Sequence, residues 1–158
     1  MVPPVDRRFM DLALKEAAAA AAMGEVPVGA VVVRDGEVLA KAHNRREVDG
    51  DPTAHAELLA IQQAARIIGD WRLERCEVYV TLEPCAMCAG LMVNSRIERC
   101  VYGTPDPRGG FLGTLGDLSQ HPELNHRFEV ISGVEAEAAS AHLKSFFRMV
   151  RDKKRSQD

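Results

Sequence analysis

The sequence has no long apolar run and few aromatic residues. No stretch is apolar enough to span a bilayer, and the first ten residues, MVPPVDRRFM, interrupt the apolar core that an export signal needs. We therefore expect a cytoplasmic protein with no membrane partner. Aromatic residues make up only 5% of the chain while hydrophobic residues make up 46%, so the core must be built mainly from aliphatic side chains.

Cysteine is also scarce, with four residues at positions 76, 85, 88 and 100. In a reducing compartment, so few cysteines are more typical of metal binding, catalysis or plain core packing than of disulfides. This argues against a disulfide-stabilised scaffold and favours a zinc site.

The chain lacks an overall positive charge, since its formal net charge is -3. This excludes a protein coated uniformly in basic residues. The charge is unevenly distributed, however, because residues 144–158 contain six basic and two acidic side chains, a local balance of +4. We expect this segment to be a basic end of the last helix.

The length of 158 residues predicts one domain spanning residues 1–158. Its first half begins with the run VDRRFMDLALKEAAAAAAMG, whose apolar spacing predicts a helix that Gly24 ends. Two β-branched runs flank Asp35-Gly36 and predict an antiparallel hairpin. Asp51, Pro52 and Thr53 then predict the start of a helix that continues to about Gly69.

The second half continues this alternation of strands and helices. The run CEVYVTL predicts a strand, Pro84 and Cys85 begin a helix that runs to Val93, and RCVYG and RFEVIS predict two further strands. The last helix, from about Glu135 to Arg151, carries an apolar stripe that includes Phe146 and Phe147, which predicts core packing. Strands that alternate with helices indicate an α/β sandwich in layers.

Two short motifs at predicted helix starts carry candidate chemistry. One is His55-Ala56-Glu57, and the other is Pro84-Cys85-Ala86-Met87-Cys88. Imidazole and thiolates suit zinc, and three protein ligands leave a fourth position open for water, which is typical of catalytic zinc. The helix N-termini favour thiolates at Cys85 and Cys88. Because two thiolates cancel the charge of Zn²⁺, a protein base is needed, and we assign proton transfer to Glu57.

The alternative is a structural zinc site closed by a fourth protein ligand. Cys76 and Cys100 are the available candidates, but both lie among apolar strand residues and are more typical of buried thiols.

At these residues the sequence resembles the zinc-dependent cytidine deaminase superfamily, whose pattern is His-x-Glu followed by Pro-Cys-x-x-Cys. Further segments, among them GEVPVGAVVV, DPTAHAE and YVTLEPCAMCAG, extend the resemblance to bacterial tRNA adenosine deaminases across nearly the whole chain. The resemblance implies a three-layer α/β/α sandwich with about five mixed strands flanked by helices.

The resemblance also implies an activity and its residues. In that family, zinc-bound hydroxide attacks C6 of the wobble adenosine in a tRNA anticodon stem-loop, and inosine and ammonia result. By position, His55, Cys85 and Cys88 bind one zinc ion per chain and Glu57 moves the protons. Substrate-binding positions are matched by Asn44, Asp106 and Asn125. A homodimer is implied as well.

One segment departs from the family pattern. After Asp106 this chain has PRGGFLG where many relatives carry Lys-Gly-Ala, so the resemblance does not define the contacts of this loop. Two alternative functions use the same motifs: a deaminase of free bases, nucleosides or nucleotides, and a zinc-stabilised binding module. The basic tail favours an RNA substrate, because phosphate contacts need lysine and arginine, and we expect Lys153, Lys154 and Arg155 to bind anticodon-arm phosphates.

Overall fold

The computed structural model describes residues 4–157. Its helices and strands alternate as the sequence predicts, in the order α1 (Arg7–Ala22), β1 (Gly29–Arg34), β2 (Glu37–His43), α2 (Arg46–Asp49), α3 (Ala56–Ile68), β3 (Cys76–Leu82), α4 (Ala86–Asn94), β4 (Arg99–Thr104), β5 (Glu129–Ile131) and α5 (Ala136–Ser156). No helix in this range has both the length and the apolar character that crossing a membrane requires.

The five strands form one mixed sheet in the order β2-β1-β3-β4-β5. β1 is antiparallel to both β2 and β3, whereas β3, β4 and β5 are parallel. The parallel part directs the carboxyl ends of β3 and β4 to the same edge of the sheet. Loops that follow parallel strands at such an edge commonly form binding sites.

Alternating side chains of the central strands build two cores, one on each face of the sheet. On one face, Val31, Tyr79 and Val101 pack with α1 and α5. On the other, Val32 and Val78 pack with α3 and α4. The strands are therefore covered on both sides, which confirms the three-layer α/β/α sandwich.

Alanine lets α1 lie close to the sheet. Ala13, Ala17 and Ala20 are fully buried on its inner face. The approach is closest at Gly29, the first residue of β1, where a Cβ atom would overlap the carbonyl oxygen of Ala13 and lie 2.6 Å from the amide nitrogen of Ala17. Helix and strand backbones are thus in direct contact, and only glycine fits at position 29.

Several predicted boundaries were wrong. α3 starts at Ala56, because the Asp51 side chain accepts hydrogen bonds from the Thr53 amide (2.8 Å) and hydroxyl (2.7 Å) and forms a turn in place of a first helical turn. α4 likewise starts one residue after Cys85. The short helix α2 was not predicted, and β5 is shorter than expected.

The last helix, α5, differs more from its prediction, both in its length and in the burial of its apolar stripe. It runs to Ser156, beyond the predicted end at Arg151, so the basic segment is helical. Phe146 is buried as predicted, but Phe147 is 45% exposed and Val150 is 43% exposed. The last two residues of the predicted apolar stripe, Phe147 and Val150, therefore do not pack into the core.

We predict that Gly29→Ala lowers the free energy of unfolding by about 3 kcal/mol, because the added methyl group forces α1 away from β1. Urea unfolding followed by circular dichroism measures the change. Gly90→Ala is the matched control, since nothing lies within 4 Å of that position in α4, and we expect it to stabilise by about 0.5–1 kcal/mol. Equal stability of Gly29→Ala and the wild type would contradict the close contact.

Candidate active site

The predicted ligands lie at two helix N-termini on the same face of the sheet. His55 is the N-cap residue of α3 and Cys85 is the N-cap residue of α4, and both have extended backbone conformations. Cys88 lies in the first turn of α4. The unpaired amide groups of both N-termini give the site a partial positive charge. Thiolates are therefore favoured at this position.

The three side chains form a cluster with the dimensions of a tetrahedral metal site. The Nδ1 atom of His55 lies 3.6 Å from the Sγ atom of Cys85 and 3.6 Å from that of Cys88, and all three atoms lie within 4.8 Å of one another. Zinc bonds of about 2.3 Å to sulfur and 2.0–2.1 Å to nitrogen, at the tetrahedral angle, give a sulfur–nitrogen separation of about 3.6 Å. The donor set and its spacing thus fit zinc.

The other two cysteines do not complete this cluster. Cys76 and Cys100 are fully buried and free, and neither belongs to the group of possible ligands. Burial raises the pKa of Cys76 to about 11 and also raises the pKa of Cys100. Both remain neutral thiols, as the sequence predicts, so neither supplies the fourth ligand of a closed site.

The pKa values of the two clustered cysteines are shifted in opposite directions. A hydrogen bond with Cys88 lowers the pKa of Cys85 to about 4. The same hydrogen bond, together with burial, raises the pKa of Cys88. Cys85 is therefore the more acidic of the two thiols, and binding of a metal ion to both would release the proton of Cys88.

Glu57 lies beside the cluster without belonging to it. Its side chain is only 4% exposed, and burial raises the pKa of its carboxyl group to about 7. A group with this pKa can accept and donate protons near neutral pH, as general acid–base catalysis requires.

These residues line a small pocket. Its volume is about 180 Å³, and its walls include His55, Glu57 and Cys85 together with Asn44 and Asp106. Cys88, the third candidate ligand, is fully buried and does not line the pocket. The structure therefore brings two of the three predicted substrate-binding residues to the candidate metal site.

Both of these polar residues are held by backbone contacts. The Asn44 side chain donates to the Val26 carbonyl (3.3 Å) and accepts from the Arg46 amide (3.2 Å). The Asp106 side chain accepts from the Arg108 amide (3.0 Å). Asn125 is exposed between β4 and β5 and does not line the pocket. The roles of all three in substrate binding stay predictions.

A larger groove of about 880 Å³ adjoins the pocket, and Val26, Leu82 and Asp106 line both. One wall of the groove is α5, whose exposed Phe147 is flanked by basic side chains: Lys144, Arg148 and Arg151. The basic residues are spaced four and three residues apart and so share a helix face.

Sequence reasoning missed two groups of residues here. It assigned Lys144, Arg148 and Arg151 to the basic tail without placing them beside the pocket. It also gave no role to Glu83, whose buried carboxylate accepts hydrogen bonds from residues 106, 112 and 114. The adjacent pair Gly109-Gly110 could have indicated that this loop packs against a buried group, because glycine often marks a close approach of the backbone.

Comparison with known proteins agrees with this geometry. The MafB19-like deaminase family model matches residues 5–151. A tRNA-specific adenosine deaminase of Bacillus subtilis is 50% identical, over 96% of this chain and 94% of that protein. A protein of the same name from Aquifex aeolicus is 45% identical, over 91% of this chain and 95% of its own.

The fold is matched by a solved structure from a study of A-to-I editing by tRNA:A34 deaminases at the wobble position of transfer RNA. Its TM-score is 0.84 and its sequence identity is 41%, over 87% of this chain and all of the solved chain.

Proposed function

Since the chain belongs to the tRNA-specific adenosine deaminase family, we propose that it converts the wobble adenosine of a tRNA anticodon to inosine and releases ammonia. The observation that carries this proposal is the open cluster of His55, Cys85 and Cys88 beside the buried Glu57, at the base of a pocket. The near full-length similarity to proteins of that activity supports the choice of substrate.

The metal ion that fits the cluster is zinc. His55 would bind it through Nδ1 and the cysteines through Sγ, with the fourth position open to the pocket. A zinc ion held there would supply Lewis-acid chemistry, lowering the pKa of a water molecule that attacks C6 of adenine.

Glu57 moves the protons of the reaction. It takes a proton from the attacking water and delivers it to N1 of the adenine ring as the bond between C6 and oxygen forms. Glu57 then takes the proton of the hydroxyl group added at C6 and delivers it to the exocyclic amine, so that C6 becomes a carbonyl carbon as its bond to that nitrogen breaks and ammonia leaves. Its raised pKa of about 7 suits both transfers.

The pocket admits one base of an extruded nucleotide. Its volume of about 180 Å³ is below the range of roughly 300–1,000 Å³ that is typical of sites for drug-sized ligands. Enzymes that modify a base take it out of its stack into such a pocket. Asn44 and Asp106, which line the pocket, would contact the extruded nucleotide, and Asn125 would contact a neighbouring anticodon base.

The adjoining groove suits the rest of the anticodon loop. Lysine and arginine side chains bind phosphates, and an exposed aromatic ring offers a surface on which a base can stack. Lys144, Arg148 and Arg151 supply the charges and Phe147 supplies the ring. The tail residues Lys153, Lys154 and Arg155 continue the basic helix beyond the groove.

We also propose that the protein acts in the cytoplasm as a homodimer. The family resemblance supports both statements. Sedimentation equilibrium of the purified protein tests the dimer.

The function is tested by incubating the purified protein with total tRNA and sequencing the anticodons for inosine. Adenosine, cytidine and guanine serve as parallel substrates. We expect inosine at wobble adenines and no comparable turnover of the small substrates, because these lack the backbone that the groove binds. Turnover confined to a free base or nucleoside would reject the tRNA assignment.

We predict one zinc ion per chain in the wild type and loss of that ion in Cys85→Ala and His55→Ala, together with a lower melting temperature, because metal-binding energy contributes to folding. Elemental analysis and thermal unfolding provide the readouts. Cys76→Ala removes a cysteine outside the cluster and should keep its zinc. Full occupancy in Cys85→Ala would remove that residue from the ligand set.

Glu57→Gln should retain zinc, fold and tRNA affinity while turnover falls by about 10⁴-fold, at the upper end of what general acid–base catalysis contributes. Single-turnover kinetics with saturating enzyme measure the chemical step. Glu74→Gln, at an exposed position outside the pocket, should behave as the wild type. Near-normal turnover of Glu57→Gln would refute its role.

Alanine at Lys153, Lys154 and Arg155 should weaken tRNA binding at low salt. Each lost phosphate contact flattens the dependence of log affinity on log salt by about 0.7–0.9, so three contacts change the slope by about two to three. The chemical step at saturation should be unaffected.

A salt series on two further triple variants locates the contacts. Alanine at Lys144, Arg148 and Arg151 tests the groove and should reduce the slope similarly. Alanine at Arg66, Arg72 and Arg75 removes the same charge from exposed positions that do not line the groove and should leave the slope unchanged. An unchanged slope in the tail variant would show that the tail does not bind phosphates.

A further inference from the structure

Glu83 lies between the sheet and the candidate metal site. It follows the last residue of β3 and precedes Cys85 by two positions. Its amide donates to the Thr104 carbonyl (2.9 Å), which extends the pairing of β3 and β4 beyond the last residue of β3. Its side chain is 2% exposed and does not belong to the metal-binding cluster. The proposed reaction gives this buried carboxylate no proton to move.

The carboxylate binds a single loop. It accepts hydrogen bonds from the amides of Asp106 (3.0 Å), Leu112 (3.0 Å) and Thr114 (3.1 Å) and from the Thr114 hydroxyl. Four donors from the segment 106–114 thus converge on two oxygen atoms. Burial of a carboxylate is costly unless such donors replace its water, so the loop and the charge stabilise each other.

The loop backbone packs directly onto this carboxylate. A Cβ atom at Gly110 would overlap the carboxyl carbon of Glu83 and lie 2.5 Å from its Oε2 atom. The Phe111 amide also donates to the carbonyl of Pro84 (2.9 Å). The loop is therefore tied to the two residues that immediately precede the ligand Cys85.

The same loop forms walls of both cavities. Asp106 lines the pocket and the groove, and Arg108 lines the groove. The short segment from Glu83 to Cys85 consequently holds a metal ligand at one end and the substrate-facing loop at the other. The position of Asp106 relative to the metal site is set by hydrogen bonds to Glu83.

We propose that Glu83 is a positioning residue that holds the loop of residues 105–114 in the form that binds tRNA. This inference rests on the proposed function and deepens it. Because Glu83 acts through the loop, its loss should weaken substrate binding far more than the chemical step.

Glu83→Gln tests the inference at nearly constant volume. The amide replaces one acceptor oxygen with a donor group that faces other donors, so the loop loses part of its anchor. With an anticodon stem-loop as substrate, we expect KM to rise at least 10-fold, kcat to stay within about threefold, and zinc content to remain one per chain. Thr114→Val removes one of the four donors and should raise KM about threefold.

Glu77→Gln is the matched control. Glu77 is a buried glutamate within β3, paired with Arg99, and it lines neither the pocket nor the groove. We expect this variant to lower the melting temperature and to leave KM and kcat unchanged. If Glu83→Gln also lowers only the melting temperature, or if it loses zinc and kcat without a change in KM, the proposal is overturned. Should Glu83→Gln fail to fold, an unchanged KM in Thr114→Val overturns it and a raised KM supports it.

Hydrogen exchange separates this proposal from the proposed function. The amides of Asp106, Leu112 and Thr114 should exchange at least 10-fold faster in Glu83→Gln than in the wild type, with or without tRNA. If the wild type forms no inosine, the proposed function fails, but the exchange rates still decide whether Glu83 holds the loop. Equal rates in the two proteins would overturn the inference.

Discussion

The structure depends on one geometric constraint: two helix N-termini must lie close enough to place one imidazole and two thiols at three corners of a tetrahedron. α3 and α4 meet this constraint because both pack on the same face of the sheet. The alanines on the buried face of α3, Ala56, Ala60 and Ala64, let this helix lie close to the strands. The metal site is thus a product of the packing between helices and sheet.

The same arrangement sets the electrostatics of the pocket. Both N-termini direct partial positive charge toward the cysteines, which offsets the cost of thiolates in a partly buried site. The cost of burying the charged Glu57 carboxylate is offset less completely, since burial raises the pKa of this group to about 7. One site therefore holds a thiol with a lowered pKa, Cys85, and a carboxyl group with a raised pKa, Glu57, and the difference follows from their environments.

Local patterns identified the candidate-site residues because His55 and Glu57 lie at the start of one helix and Cys85 and Cys88 at the start of another, where spacing alone fixes proximity within each pair. The start of α3 was mispredicted because Asp51 forms a turn with Thr53 in place of a helix cap. The exposed end of the α5 stripe was taken as core, since helical periodicity does not distinguish a core face from the wall of a groove. Glu83 escaped notice because its hydrogen bonds join residues 23 to 31 positions apart, and no local pattern records contacts at that distance.

The central claim is an open zinc centre with three protein ligands beside a proton-transferring glutamate. X-ray absorption at the zinc edge of the purified protein tests it most directly, because it counts the atoms bound to the metal. The account predicts two sulfur atoms at about 2.3 Å and two lighter atoms, the His55 nitrogen and a solvent oxygen, at about 2.0–2.1 Å. A spectrum with three or four sulfur ligands would contradict it, since a third cysteine would close the position at which water must react.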